Sequence, residues 1–398
     1  MGEFRSHWRA LAGASLGLAV GYSFINYVTN VFAPTLVAEL GWAKSDFALL
    51  GLMVFAAVIC QPIAGRLADV FGVRRVALLG VIVGPLLFLA LSRMNGAFWQ
   101  FYLISVLQVV LVGATTGPAI YTRVIAERFH AMRGTALGLA SCSPAVVGLA
   151  CAPLFASLVS AHGWRASYAI LGAVIAVVGL LAIALIPRRV IPSVEASSAK
   201  AETTRDVRYG ALFRSRTFLL IVCGILLCNM TLTLQMSQIG LLLAARGVDA
   251  TAASFMISLY AGGIIAGRLL CGVALDYFPP YLVSALTMAA PAIGLLLLAS
   301  GISAPLALAA AVAILGLSFG AEGDIGAYLV MRYFGAEIFG TVFGLVMRAL
   351  ALSGAIGALL LSYTLAVTGD YRLFLTIGSA AAVIGGVLFL LLKNARTV

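Results

Sequence analysis

Apolar runs about twenty residues long follow one another along almost the whole chain, and they constrain its fold more than any other feature. A helix needs ~20 consecutive apolar residues to cross the hydrocarbon of a bilayer. Such runs fall near residues 10–37, 45–68, 75–93, 98–127, 134–160, 166–187, 217–243, 251–275, 281–300, 304–331, 338–366 and 371–392. The chain is 63% hydrophobic and 10% charged, whereas an ordinary water-soluble domain is roughly 25% charged. It cannot cover itself with a water-facing surface, so a lipid bilayer is its expected solvent. Backbone groups in hydrocarbon must bond within helices or closed barrels, and runs of this length exclude a barrel. The expected fold is all-α, with twelve transmembrane helices in two pseudo-symmetric six-helix bundles.

The net charge of +11 is the mark of topology rather than of nucleic-acid binding, and no nucleic-acid partner is expected. With the N-terminus placed inside, eighteen of the 25 Lys and Arg fall on the inner side, five on the outer side and two within spans. Basic residues concentrate on the cytoplasmic side of membrane proteins, so both termini are expected in the cytoplasm and the chain in a cytoplasmic (inner) cell membrane. The six cysteines all lie within spans without disulfide or zinc-ligand spacing, and they read as small packing residues. No metal and no cofactor are expected. No cleavable signal sequence is expected, since the first apolar run is long and no small-residue cleavage site stands out.

One segment differs in composition. From Arg188 to Arg208 the chain is polar and charged, and it reads as a linker. The expected division is a six-helix bundle over 1–187, a cytoplasmic linker over 188–213 and a second bundle over 214–398. The two bundles carry a repeat. Gly65-x-x-x-Asp69 matches Gly272-x-x-x-Asp276 at an offset of 207, and Gly134–Leu139 matches Gly340–Leu345 at an offset of 206. The shift of about half the chain implies duplication, which places a binding site at the interface of the halves near the midplane. It also aligns two polar stripes: Tyr22, Asn26 and Asn30, and, 207 residues on, Asn229, Thr233 and Ser237. Each trio is spaced i, i+4, i+8 and shares a helix face. Such a face turns inward in lipid, either to line a cavity or to form interhelical hydrogen bonds.

Four ionisable side chains sit deep inside spans, all in the second half: Arg268, Glu322, Asp324 and Arg348. A charge there costs at least ~3 kcal/mol on insertion scales, so each is expected to have a partner or a task. Arginine stays protonated and presents a planar fork matched to a carboxylate. Arg268 and Arg348 are therefore expected to bind an organic anion, with a purely structural network to Glu322 and Asp324 as the alternative. Both acids are candidates for proton coupling, Glu322 first. They are two residues apart and point to different helix faces, so one is expected to face the cavity. Gln108 and Tyr260 are expected to line the path with Tyr22, Asn26, Asn30, Asn229 and Thr233. Between the second and third spans, Gly65, Asp69, Arg74 and Arg75 read as a latch that gates the inner side.

Gly65-Arg-Leu-Ala-Asp-Val-Phe-Gly-Val-Arg-Arg75 resembles the signature loop of the major facilitator superfamily, Gly-x-x-x-Asp-[Arg/Lys]-x-Gly-[Arg/Lys]-[Arg/Lys], with Val70 in place of the usual base and Val73 shifting the final pair by one. The resemblance covers nearly the whole chain and implies alternating access around a midplane site. Within the superfamily the chain is similar to the monocarboxylate transporters and oxalate–formate antiporters. Those relatives carry an arginine in the eighth helix, matched by Arg268, that binds substrate carboxylate. The antiporter's lysine in the eleventh helix is matched by Arg348. The acid that the animal monocarboxylate carriers pair with this arginine is absent, since position 264 is Ile.

The expected function is secondary transport of small organic anions, chiefly monocarboxylates, across the cytoplasmic membrane, with protons or a counter-anion as the coupled partner and symport favoured. A monomer is expected. The alternative is a proton-coupled exporter of drugs or other amphipathic compounds, whose motif Ser143-Pro-Ala-Val-Val-Gly148 distantly resembles. A membrane-embedded enzyme finds no support, since the chain has no Gly-x4-Gly-Lys-[Ser/Thr], His-Glu-x-x-His or Cys-x-x-Cys.

Overall fold

The computed structural model describes residues 2–126, 128–129, 132–187, 209–335 and 338–394. Among the described residues, ten helices are long and apolar enough to cross a membrane. One of them, Arg133–Leu185, contains Gly163 at φ 73°, ψ 164°. Its 53 residues would run ~80 Å if straight, far beyond a bilayer. The chain instead reverses at Gly163, since Ser141 and Ala182 both pack at the side of the chain ends while Trp164 bonds Glu39 at the other side. Glycine alone reaches that positive φ without strain. The short helices Arg216–Cys228 and Ile239–Ala245 make one further crossing, so twelve spans result.

The spans are helix 1 (Gly2–Ala19 and Tyr22–Leu40), helix 2 (Lys44–Ala48, Leu49–Met53 and Val54–Phe71), helix 3 (Val73–Ser92), helix 4 (Phe98–Leu107 through Pro118–Ala126), helices 5 and 6 (before and after Gly163), helix 7 (Arg216–Cys228 through Ile239–Ala245), helix 8 (Ala250–Tyr277), helix 9 (Pro280–Ala289 and Pro291–Ala299), helix 10 (Pro305–Phe334), helix 11 (Phe339–Thr368) and helix 12 (Arg372–Leu390). Asp249 caps helix 8 by accepting from the Thr251 and Ala252 amides at 2.9 and 3.0 Å. Pro280, Pro291 and Pro305 occupy first-turn positions, where no amide hydrogen is needed. Helices 2 and 3 are joined by Gly72 alone, at φ 83°.

Among the described residues, helices 1, 4 and 7 each contain a residue of non-helical backbone where the sequence predicts a continuous run. Helix 1 breaks at Gly21, helix 4 at Gly117 and helix 7 at Asn229. The repeat offset of 207 carries Gly21 to Cys228, the last residue before the break in helix 7, so the two interruptions correspond. Helix 7 then contains a π-helical segment, Leu234–Gln238, and helix 4 another, Gln108–Gly113. Interrupted helices in corresponding positions of two halves point to a binding site.

Contacts between the first six and last six spans run along helices 1 and 7, 2 and 11, and 5 and 8. Asn30 meets Met236, Gly51 abuts Thr233 and Ala358, and Ser141 meets Arg268. The expected linker over 188–213 lies outside the described residues except for 209–213, which belong to the short helix Tyr209–Arg214.

Helices 8 and 10 approach backbone to backbone. A Cβ on Gly267 would fall 1.9 Å from the Leu317 carbonyl oxygen, and Cβ atoms on Gly316 and Gly320 would each fall 2.1 Å from the carbonyls of Tyr260 and Ile264. Small residues permit this close packing where lipid supplies no hydrophobic drive between helices. Gly267→Ala or Gly316→Ala is expected to force the pair apart and lower stability by ~1–3 kcal/mol. Gly272→Ala, whose Cβ meets nothing within 4 Å, is expected to be tolerated. Melting temperatures of the purified variants in detergent check the contrast.

Candidate functional site

The close packing of helices 8 and 10 sets one wall of a cavity of about 670 Å³ between the two bundles. Along helix 8 its lining runs through Ile257, Tyr260, Ile264 and Arg268, eleven residues that cover ~16 Å at 1.5 Å each. Helix 10 contributes Phe319 and Asp324, helix 7 Gln235, Met236 and Ile239. The opposite wall is helix 1 (Leu18, Ser23, Asn26, Tyr27, Asn30) and helix 5 (Leu137, Ser141, Pro144), with Pro118 after the break in helix 4.

Among the described residues, Arg268 is the one basic residue in this lining. Its Nη1 donates to the Ser141 carbonyl at 3.0 Å, its Nε to the Gly320 carbonyl at 3.4 Å, and Nε lies 3.5 Å from Asp324 Oδ2. A guanidinium has five N–H donors, and among the described residues its Nη2 has no partner. Asp324 has 47% of its side-chain surface exposed, against 27% for Arg268, so this pair stands at the mouth, on the side of the chain ends.

The opposite end is shut by Asn30, which is 4% exposed. Its Nδ2 donates to the Met236 and Gln235 carbonyls at 2.7 and 3.3 Å, and its Oδ1 accepts from the Ile239 amide at 2.9 Å. The π-helical segment of helix 7 makes those carbonyls available, because its hydrogen-bond pattern departs from the i→i+4 ladder. Gly240 allows the contact: a Cβ there would lie 1.9 Å from the Asn30 carbonyl oxygen. Beyond Asn30 a second hollow of about 80 Å³ lies between helices 1, 7 and 8. The plug between the two spaces is thus little more than the Asn30 side chain and its neighbours.

Of the residues singled out from the sequence, Asn26, Asn30, Tyr260, Arg268 and Asp324 meet in the cavity. Arg348 is exposed on helix 11, in line with Leu352, Ile356 and Leu359, and is not among the lining residues that include Arg268. Glu322 is half-buried and not in the lining; two residues from Asp324, it lies within electrostatic reach of Arg268 as well as of Cys228 and Tyr260. Tyr22 packs on Gly113 of helix 4. Gln108 is buried within the first bundle. Asn229 donates to the Ile225 carbonyl at 2.9 Å and Thr233 to the Gly354 carbonyl at 3.0 Å, so both serve packing.

In the latch segment, the Gly65 carbonyl accepts from Arg123 Nη1 at 3.0 Å. Arg74 is half-buried and Arg75 exposed; of Asp69 only the backbone, within Val54–Phe71, is described. Among the described residues no cluster of three His, Cys, Asp or Glu could hold a metal.

The lining includes residues that the polar stripes do not contain: Ser23, Tyr27, Ser141, Gln235, Met236 and Phe319. Gln235 was visible as a mid-span amide, but it lies off the i, i+4 stripe of helix 7.

The sequence profile of the Major Facilitator Superfamily matches residues 15–358. Monocarboxylate transporter 2 of Rattus norvegicus is 25% identical over 98% of this chain and 83% of its own length. Monocarboxylate transporter 13 of Bos taurus is 24% identical over 93% of this chain and 84% of its own. An MFS-type transporter of Aspergillus fumigatus is 26% identical over 59% of this chain, which spans 57% of that protein's length. The crystal structure of a D-xylose-proton symporter superposes with a TM-score of 0.71 at 16% identity, covering 98% and 97% of the two chains.

Asn30→Ala removes the three hydrogen bonds of the plug, each worth ~0.5–1.5 kcal/mol, and Gly240→Ala wedges helices 1 and 7 apart. Both are expected to open the far end. A membrane-impermeant thiol reagent added on that side should label Ser23→Cys, in a cysteine-free background, at least ~10-fold faster in either variant than in the parent.

Proposed function

The chain belongs to the Major Facilitator Superfamily, a family of multi-pass membrane transporters, and from that premise we propose that it moves small organic anions, chiefly monocarboxylates, by alternating access. The observation that carries the reading is Arg268: a permanent cation in an interior cavity, whose Nη2 protons find no partner among the described residues. A carboxylate from the cavity would supply the missing acceptors in the fork geometry that guanidinium favours. The similarity to two monocarboxylate transporters supports the same substrate class.

Proton symport follows from Asp324. It is the acid that shares the cavity with Arg268. Ionised, it competes with the substrate for the guanidinium. Protonated, it leaves Arg268 to the substrate, so one proton and one anion travel together. Glu322, the acid favoured from the sequence, lies outside the lining but within electrostatic reach of Arg268, and is the second candidate for the same role. The closed Asn30 end and open Asp324 end correspond to the cytoplasm-facing state of the cycle, with both termini cytoplasmic, in a cytoplasmic membrane. Residues 1–187 and 214–398 form the rocking halves and 188–213 joins them, and the protein works as a monomer.

An exporter of amphipathic compounds is the second reading, favoured by the apolar walls that Met236, Ile239, Ile257 and Phe319 contribute. Proteoliposome uptake of labelled monocarboxylates, with and without an inward proton gradient, separates the two. Arg268→Gln is expected to reduce anion uptake at least ~30-fold, since losing one partner of a desolvated charge contact costs ~2–5 kcal/mol. Asp324→Asn is expected to abolish the response to the proton gradient while anion exchange persists. Unchanged solute selectivity in Arg268→Gln would discard the anion reading and leave the exporter.

A further inference from the structure

Asn26 is the amide of the cavity lining that lacks a strong partner among the described residues. Its Nδ2 donates only to the Met236 thioether, at 3.1 Å, which is a weak acceptor. Its Oδ1 has no partner among the described residues. The neighbouring amides are occupied. Gln235 accepts from the Tyr260 hydroxyl and donates to Thr231 Oγ1, both at 3.3 Å, and Asn30 is committed to the plug. Besides the Ser23 and Tyr27 hydroxyls, the open polar side chains of the cavity thus include Arg268 near its mouth and Asn26 toward its closed end.

Their separation follows from the helices. Tyr260, tied to Gln235 beside Met236, lies eight residues from Arg268, ~12 Å along helix 8. Between the two positions the walls are apolar and aromatic. The Tyr260 and Phe319 rings stand 6.1 Å apart at 35°, with Ile264 and Met236 also in the lining. A volume of about 670 Å³ lies within the ~300–1,000 Å³ of sites that enclose drug-sized molecules. A three-carbon acid has about the length of one extended residue, ~3.5 Å. Held on Arg268, it would leave Asn26 and the aromatic wall untouched.

We infer that the cavity selects an elongated monocarboxylate: carboxylate on Arg268, a flat apolar body such as an aryl ring against Tyr260 and Phe319, and a hydrogen-bonding substituent at the far end on the Asn26 amide. The inference rests on the reading of Arg268 as the anion anchor. Because an amide both donates and accepts, a phenolic hydroxyl or a carbonyl satisfies it equally.

The test measures equilibrium binding of three probes, 3-(4-hydroxyphenyl)propanoate, 3-phenylpropanoate and lactate, to the full chain in nanodiscs. The hydroxylated acid is expected to bind up to about tenfold more tightly than the unsubstituted one, and both more tightly than lactate. In Asn26→Ala the ratio between the two aryl acids falls to near one, and Asn26→Ser restores part of it. Monodisperse elution of each variant checks folding. Should Asn26→Ala not fold, the three-probe ranking on the unsubstituted chain still decides. Equal affinity for lactate and the aryl acids, all abolished by Arg268→Gln, would overturn the inference and leave the anion reading standing. Aryl-acid binding indifferent to Arg268→Gln would overturn that reading itself. A ratio unchanged in Asn26→Ala would remove Asn26 as the selector.

Discussion

The contact between helices 8 and 10 is the interaction on which the site depends. Glycines on both sides let the two backbones touch, with Gly263 and Gly267 against the Ala313 and Leu317 carbonyls and Gly316 and Gly320 against those of Tyr260 and Ile264. That distance brings Arg268 Nε to the Gly320 carbonyl and to Asp324. A guanidinium in an apolar protein needs acceptors close at hand, and a helix wall normally offers none because its carbonyls are used internally. Here the approach is close enough for carbonyls to serve a second donor. The charge is kept in place without being fully neutralised, which leaves it available to a solute.

The same economy governs the interrupted helices. An unpaired backbone group in hydrocarbon costs several kcal/mol, so breaks survive only where protein or a water-filled cavity satisfies them. The breaks at Gly21 and Asn229 flank the cavity from two sides, and the carbonyls made available by the π-helical turn of helix 7 are taken by Asn30. Irregular backbone is here the material of the closing surface. It is also a surface that can come apart, since its bonds are side chain to backbone rather than part of a helix ladder.

The spans were legible in the sequence because length and hydropathy alone decide them, and Arg268 and Asp324 were legible because charges in apolar runs are conspicuous. The remainder turned on rotation. The stripe Asn229, Thr233, Ser237 assumes an unbroken period of 3.6 residues, but the break after Cys228 and the π-helical turn reset the phase. Thr233 therefore meets Gly354 of helix 11 while Gln235, two residues on, enters the cavity. In helix 1 the stripe drifts ~40° per four residues, and Tyr22 turns to Gly113 while Asn26 and Asn30 stay inward. Arg348 shows the complementary limit: its depth was readable, but its place outside the cavity lining was not. Periodicity tells which residues share a face, but which face meets the cavity depends on neighbours far away in sequence.

The two polar contacts at the ends of the cavity also explain how a small solute could move so large a structure. Arg268 to Ser141 and Asn30 to Met236 both join one bundle to the other. Three hydrogen bonds at Asn30 amount to ~1.5–4.5 kcal/mol, and a ligand shifts a conformational equilibrium only by its differential affinity for the two states. A carboxylate that takes donors from Arg268 alters the contact with Ser141 near the mouth, while a group on Asn26 acts one turn from the Asn30 plug. A solute long enough to touch both would act on both ends of the inter-bundle contact at once. One that touches only Arg268 would leave the far plug intact, so the length of the solute bears on turnover as well as on affinity.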